Sequence, residues 1–321
     1  MTRPGRSSEQ VIVPPRVRHG QTIGVCAPAG PVKLERLRRG LACLGDAFAV
    51  RIADSVTAPR APDTPSYLAA PDDQRAAELT AMLADPDIRA IILARGGYGV
   101  MRILAQLDPA LLRDDPKPIV GFSDATALLA WAHVAGVRSI HGPMIAQLSD
   151  LPPPDVAQLI AVLTDPRPLG ERAWSLRSHG RGRYRSPLVP ANLSMASVLV
   201  GTPWPVPLAG AIALFEDVGE RPYELDRYLT QLALAGALAH TTAAVVGELI
   251  RCRDPAPPSG DRDPDDAALA TVIERLTSAS LPVAVGAPIG HGGRNEAVPF
   301  GAMCELDLDR GTLVITEAAV A

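Results

Sequence analysis

The segment at residues 117–136, KPIVGFSDATALLAWAHVAG, runs an apolar stretch into an Ala- and Leu-rich one through a two-residue polar corner. Pro118 to Phe122 reads as a buried strand and Ala125 to Val134 as a helix, with Ser123 and Asp124 between them. The same grammar repeats upstream. QTIGVCAPAG (21–30) is a strand entering a Pro/Gly turn, and Leu34, Leu37, Leu41 and Leu44 follow at helical spacing. FAVRI (48–52) reads as a second strand and 73–84 as a helix. IRAIILA (88–94) is an apolar strand closed by RGGYG, and VRSIHGPM (137–144) supplies one more short strand. Strands alternating with helices predict an α/β, doubly wound, mostly parallel sheet. Reactive loops in such sheets lie beyond the carboxyl ends of the strands, which makes RGGYG and GFSD expected neighbours.

Beyond residue 145 the pattern weakens, and DLPPPD and RSHGRGRYRSP look like linker. A second unit follows. GAIALFEDVGERPYELDRYLTQLALAG (210–236) is strand, polar corner and helix, TTAAVVGELI is a strand, and CELDLDRGTLVITE is a hairpin. The expected organisation is an arm over 1–20, an N-terminal domain over 21–145, a linker over 146–190, and a smaller, strand-rich C-terminal α/β domain over 191–321. The acidic, Pro-rich stretch 253–266 reads as an inserted loop.

Composition narrows the function. The 321 residues are 47% hydrophobic and 21% charged, and Lys+Arg 31 against Asp+Glu 35 gives a net charge of −4, with no basic footprint for nucleic acid. The four cysteines (Cys26, Cys43, Cys252, Cys304) form no Cys-x-x-Cys pair, which points to a reducing, cytoplasmic setting without a disulfide framework. No stretch reads as a signal peptide or a membrane span, and no Cys/His cluster calls for a metal. No cofactor is expected.

A serine at a strand-to-helix corner has its oxygen lifted clear of the sheet, with backbone N–H groups and the positive end of a helix nearby. The competing reading is a helix cap, since Ser and Asp are common at helix starts. Nucleophilic chemistry needs a base. Of six histidines, His141 and His291 lie in Gly/Pro-containing loops at strand ends, and the glycines around His291 would admit a substrate. The imidazole in turn needs an acceptor, and Glu216 ends the apolar strand AIALFE.

At this point the chain resembles the LD-carboxypeptidase family of serine peptidases, a group that includes the microcin-immunity peptidases. GVCAPAG, ARGGYGVMRIL, VGFSDATALL, HGPM, ANLSMASVLVGTPW, LFEDVGERPYELDR and GAPIGHGGRNEAVPFG stand in the family's order. The resemblance implies a flavodoxin-like N-terminal domain and a Ser–Glu–His triad of Ser123, Glu216 and His291, with Glu220 as the rival carboxylate. It also implies an oxyanion hole from the Gly97 and Asp124 amides, a homodimer, and release of terminal D-alanine from murein tetrapeptide in cell-wall recycling. Arg95, beside the oxyanion turn, is a candidate cation for the substrate's free carboxylate. One departure is VPANLS, where Pro190 and Ala191 replace the family's Gly-Gly pair. Two rivals stand beside this reading. An immunity-type peptidase cleaving a peptidyl-nucleotide would need an aromatic such as Tyr98, Trp204 or Tyr223 to stack on a base, and a non-catalytic binding protein would need no convergence of the three side chains.

Overall fold

The computed structural model describes residues 11–254 and 264–321. Five apolar runs form β1 (Thr22–Cys26), β2 (Ala49–Ile52), β3 (Ile88–Leu93), β4 (Ile119–Gly121) and β5 (Ile140–His141). All their pairings are parallel, in the order β2-β1-β3-β4-β5. The direction of winding reverses between β1 and β3, so a crevice opens above their carboxyl ends. The helix after β4, Thr126–Val134, is buried along nearly its whole length, with Leu128 and Leu129 at 0% exposure. Burying each such side chain is worth about 1.5–3 kcal/mol, which fixes the corner before it.

The second sheet is built from β6 (Gly170–Arg172), β7 (Arg177–His179), β8 (Arg183–Asn192), β9 (Ile212–Val218), β10 (Ala243–Ile250) and β11 (Val283–Val285). After β12 (Val298–Pro299), the chain adds β13 (Ala302–Asp307) and β14 (Thr312–Ile315) to it. Its order is β6-β14-β13-β8-β9-β10-β11-β7, with β8 to β11 mutually parallel and the flanks antiparallel. Strand β12 leaves this sheet and pairs antiparallel with β5, Val298 opposite His141. The β11–β12 loop, which holds His291, is thereby tied to one sheet at each end.

Two expectations about organisation change. Residues 1–10 of the arm lie outside the described residues, but Val17 is fully buried, and the Arg16 N–H donates to the Ala321 carbonyl at 2.9 Å. Residues 11–20 are tied down by backbone partners from several segments, Gly136 and Arg138 for Ile12, Leu163 for Val17, Ala47 for Gly20 and Ala321 for Pro14 and Arg16. The stretch 146–190 is likewise no bare linker: it carries the helix Pro153–Thr164, β6, β7 and most of β8. Pro152, Pro153 and Pro154 sit at the cap and first turn of that helix, where no intrahelical N–H is lost, so they start the helix instead of breaking it. The arginines that looked like linker pair across strands, Arg183 with Asp307 at 2.8 Å and Arg185 with Glu305 at 3.5 Å. Pro190 lies past Leu188, the last β8 residue opposite β13, where a strand tolerates a proline. Most of the acidic loop 253–266 lies outside the described residues. No described helix is long and apolar enough to cross a membrane.

Candidate active site

Ser123 sits where β4 ends, with φ of 62°. Only three described non-glycine residues have positive φ, and this conformation costs a serine about 1–3 kcal/mol. Its hydroxyl makes no hydrogen bond with a described residue, so it caps no helix. Asp124 is the cap, but of a different element: its carboxylate accepts from the Val100 N–H at 2.9 Å, at the start of the helix Val100–Ile103 that follows RGGYG. Burial pushes the Asp124 carboxyl up to about 6, against the pull of the Val100 and Gly99 amides. The buried Arg75 completes the clamp by donating to the Gly99 carbonyl at 3.0 Å and to the Pro28 carbonyl. Three strand-to-helix turns are thus locked together. Gly96 passes so close that a Cβ there would lie 3.2 Å from Ser123 Cβ and 3.3 Å from its Oγ, and only glycine leaves that space. Gly97, at φ 114°, has an N–H without an acceptor among the described residues.

Across the cleft, His291 Nδ1 and Glu216 Oε2 are 2.7 Å apart. The Glu216 side chain is 0% exposed and that of His291 19%. Burial alone would lower the His291 pKa, but the bonded Glu216 carboxylate outweighs it, with Asp217 and Glu248 adding to the pull, and the net shift is upward. Glu220 is engaged elsewhere, accepting from the Tyr228 hydroxyl at 3.0 Å. His141 is fully buried, and burial drives its pKa down to about 4, which keeps it neutral. The Phe122 ring lies between the two histidines, 4.6 Å from the His291 centroid and 5.9 Å from that of His141.

The two sides face one cleft of about 390 Å³, lined by Ser123, Gly97, Phe122, His291 and Arg95 among others. Ser123, Glu216 and His291, scattered over the chain, are therefore brought together, although no hydrogen bond joins Ser123 to His291. Such contacts commonly tighten only when substrate is bound.

Residues 23–142 match the LD-carboxypeptidase N-terminal domain and residues 185–306 the LD-carboxypeptidase C-terminal domain. The chain belongs to the LD-carboxypeptidase family. It is 36% identical, over 97% of its own length and 98% of the other, to a Streptomyces coelicolor protein named for carboxypeptidase activity. It is 31% identical, over 76% of its length and 80% of the other, to the murein tetrapeptide carboxypeptidase of Pseudomonas aeruginosa. Its fold is that of the microcin C7 self-immunity protein MccF of Escherichia coli, with TM-score 0.83 at 23% identity over 97% of this chain and 100% of that one.

As an LD-carboxypeptidase family member, the protein is built around supports that sequence reasoning missed. Glu248 Oε2 accepts from the Gly292 N–H at 2.6 Å, and Asp155 accepts from the Asn295 N–H at 3.0 Å and from Arg294. Gln147 Nε2 donates to the Gly290 carbonyl at 3.1 Å. Asp217, whose carboxyl is pushed up to about 7 by burial and by the neighbouring Glu216 charge, accepts from Asn192 Nδ2 at 3.0 Å and the Ser194 N–H at 2.8 Å. The Asn192 N–H donates to Thr126 Oγ1 at 3.1 Å, joining the serine's helix to the sheet that carries Glu216. Glu248 had a usable signal: like Glu216, it is a carboxylate near the end of an apolar strand. Arg75 had none, because it stands in a helix rich in charged residues.

Proposed function

We propose that this LD-carboxypeptidase family protein is a serine peptidase that cuts an L,D amide bond and releases the terminal D-alanine of a murein tetrapeptide. Ser123 is the nucleophile, His291 the general base, and Glu216 the carboxylate that holds the imidazole. The observation that carries this reading is the buried Glu216–His291 pair, 2.7 Å apart, opening onto the same cleft as an uncapped serine in a left-handed turn. With Nδ1–H given to Glu216, the other ring nitrogen is left to take the hydroxyl proton as Ser123 Oγ attacks the carbonyl carbon. The Gly97 and Asp124 N–H groups stabilise the oxyanion. Collapse of the tetrahedral intermediate breaks the C–N bond, and the amine leaves with the proton held by His291. Water, deprotonated by the same imidazole, then hydrolyses the ester.

The substrate class rests on the Pseudomonas relative. A peptidyl-nucleotide substrate fits less well: Tyr98, Trp204 and Tyr223 do not line the cleft, and Phe122, which does, is buried and has its ring against His291 and His141. The resemblance also carries the rest of the reading: a cytoplasmic homodimer acting in cell-wall recycling. Incubation of the purified protein with murein tetrapeptide, followed by mass spectrometry, tests the activity. Free D-alanine together with tripeptide is the expected result, and intact tetrapeptide after prolonged incubation overturns it.

A further inference from the structure

The cleft beside Ser123 is cationic. Arg36, Arg95 and Arg251 line it, and among the described residues no Asp or Glu does, in a chain of net charge −4. A one-sign cleft concentrates ligands of the opposite sign. Two of the three guanidiniums are already engaged: Arg36 pairs with Asp150, and Arg95 Nη1 donates to the Pro31 carbonyl at 2.8 Å. Arg251 has no hydrogen bond or ion pair with any described residue.

Its backbone is also unusual. Arg251 follows β10 with φ of 55°, a left-handed conformation that a long side chain adopts at a cost. The last register pair of the β9–β10 ladder is Val218 opposite Ile250, so Arg251 stands at the carboxyl end of the sheet, beside the strand that delivers Glu216. Val218 and Arg251 form one wall of the cleft that Ser123 shares. A solvated arginine needs neither a strained backbone nor a place on that wall.

We propose that Arg251 receives the free α-carboxylate of the residue to be released, and so restricts the protein to cutting the last amide of a chain. The inference rests on the peptide hydrolysis proposed above and adds the group that sets exopeptidase specificity. A guanidinium suits the task because its fork of donors matches both carboxylate oxygens. A peptide whose C-terminus is amidated offers no charge to it.

The test measures kcat and KM for the L,D-tetrapeptide as free acid and as C-terminal amide, with wild type, Arg251→Gln, Arg251→Lys and Arg95→Gln. Arg251→Gln is expected to raise KM for the acid about 10- to 100-fold, with kcat within about threefold, and to treat acid and amide alike. Arg251→Lys keeps the charge without the fork, so it falls between wild type and Arg251→Gln and carries the test should the glutamine variant not fold. Arg95→Gln is expected to keep the preference for the acid, since that guanidinium is held by the Pro31 carbonyl; an Arg95→Gln enzyme that treats acid and amide alike assigns the carboxylate to Arg95 and overturns the inference. An active wild type whose Arg251 variants retain its KM and acid-over-amide preference overturns the inference alone, as does a loss confined to kcat. A wild type inert on the free acid overturns the hydrolytic reading and this inference with it.

Discussion

The turn bearing Ser123 and the loop bearing His291 meet across one cleft, yet they are secured in different ways. Around Ser123 the chain uses backbone: a left-handed residue, a glycine pressed against it, and carbonyl and amide groups gathered by Arg75 and Asp124. Around His291 it uses carboxylates, with Glu216 on the ring, Glu248 on the Gly292 amide and Asp155 on the Asn295 amide. On the proposed mechanism the demands on the two groups differ. A nucleophile must place one oxygen against fixed N–H donors, which is a matter of backbone geometry. A base must hold one tautomer and carry a transient positive charge, which is a matter of nearby negative charge.

If the proposed mechanism holds, removing either Ser123 or His291 breaks both sides at once. Ser123→Ala and His291→Ala should each lower kcat/KM for D-alanine release by about 10⁴- to 10⁶-fold, with melting temperatures close to wild type. Retention of near wild-type turnover by either variant would remove that residue from the reaction. Glu216→Gln keeps the shape but loses the charge and the acceptor pattern, and about a 10⁴-fold loss is expected.

The comparison also explains what the sequence made legible. The parallel sheet was readable because its strands are short apolar runs separated by helical spacing, and the second sheet's strand–corner–helix was readable for the same reason. The adjacency of RGGYG and GFSD followed from topology, and Glu216 from a carboxylate ending an apolar strand. What stayed hidden was long-range. Arg183 and Arg185 looked like linker because the acids that pair with them lie more than a hundred residues on, at Asp307 and Glu305. Arg75, Asp155 and Arg251 act through contacts or a backbone angle that no local pattern encodes. The polar stretch 146–190 misled because edge strands and a proline-started helix share the composition of a loop.

Next in size are changes that touch one side only. Gly96→Ala would set a methyl 3.3 Å from Ser123 Oγ and 3.2 Å from Met144 Cε. The fold should survive while displacement of the hydroxyl costs about 10²-fold in kcat; an unchanged kcat would mean that Ser123 needs no close approach from that turn. On the opposite side, Glu248→Gln preserves an acceptor for the Gly292 N–H and removes a charge that favours the imidazolium. The pH–kcat/KM profile distinguishes the two roles. In wild type the acid limb should fall above the ordinary imidazole value of about 6.5, because the His291 pKa is raised and only the neutral ring accepts a proton. In Glu248→Gln that limb should move to lower pH, since the imidazolium has lost an attracting charge, with the plateau rate reduced far less than in Glu216→Gln. A limb that stays in place would assign Glu248 to loop geometry alone.

The smallest effect concerns stability and separates the sides most sharply. Alanine at 123 keeps a Cβ and therefore keeps the cost of φ at 62°, whereas glycine adopts that angle freely. Both variants lack the hydroxyl and should be equally inactive. Glycine also has more unfolded-state freedom to lose, which offsets part of its gain. The net expectation is that Ser123→Gly unfolds with a free energy about 1 kcal/mol greater than Ser123→Ala, read from paired urea titrations with equal slopes. His291 is not among the described residues with positive φ, so the same pair of substitutions there should run the other way, with glycine the less stable. Equal stability of the two Ser123 variants would mean that the corner stores no backbone strain, and that the hydrogen bonds gathered by Arg75 and Asp124 hold that turn, much as the carboxylates hold the His291 loop.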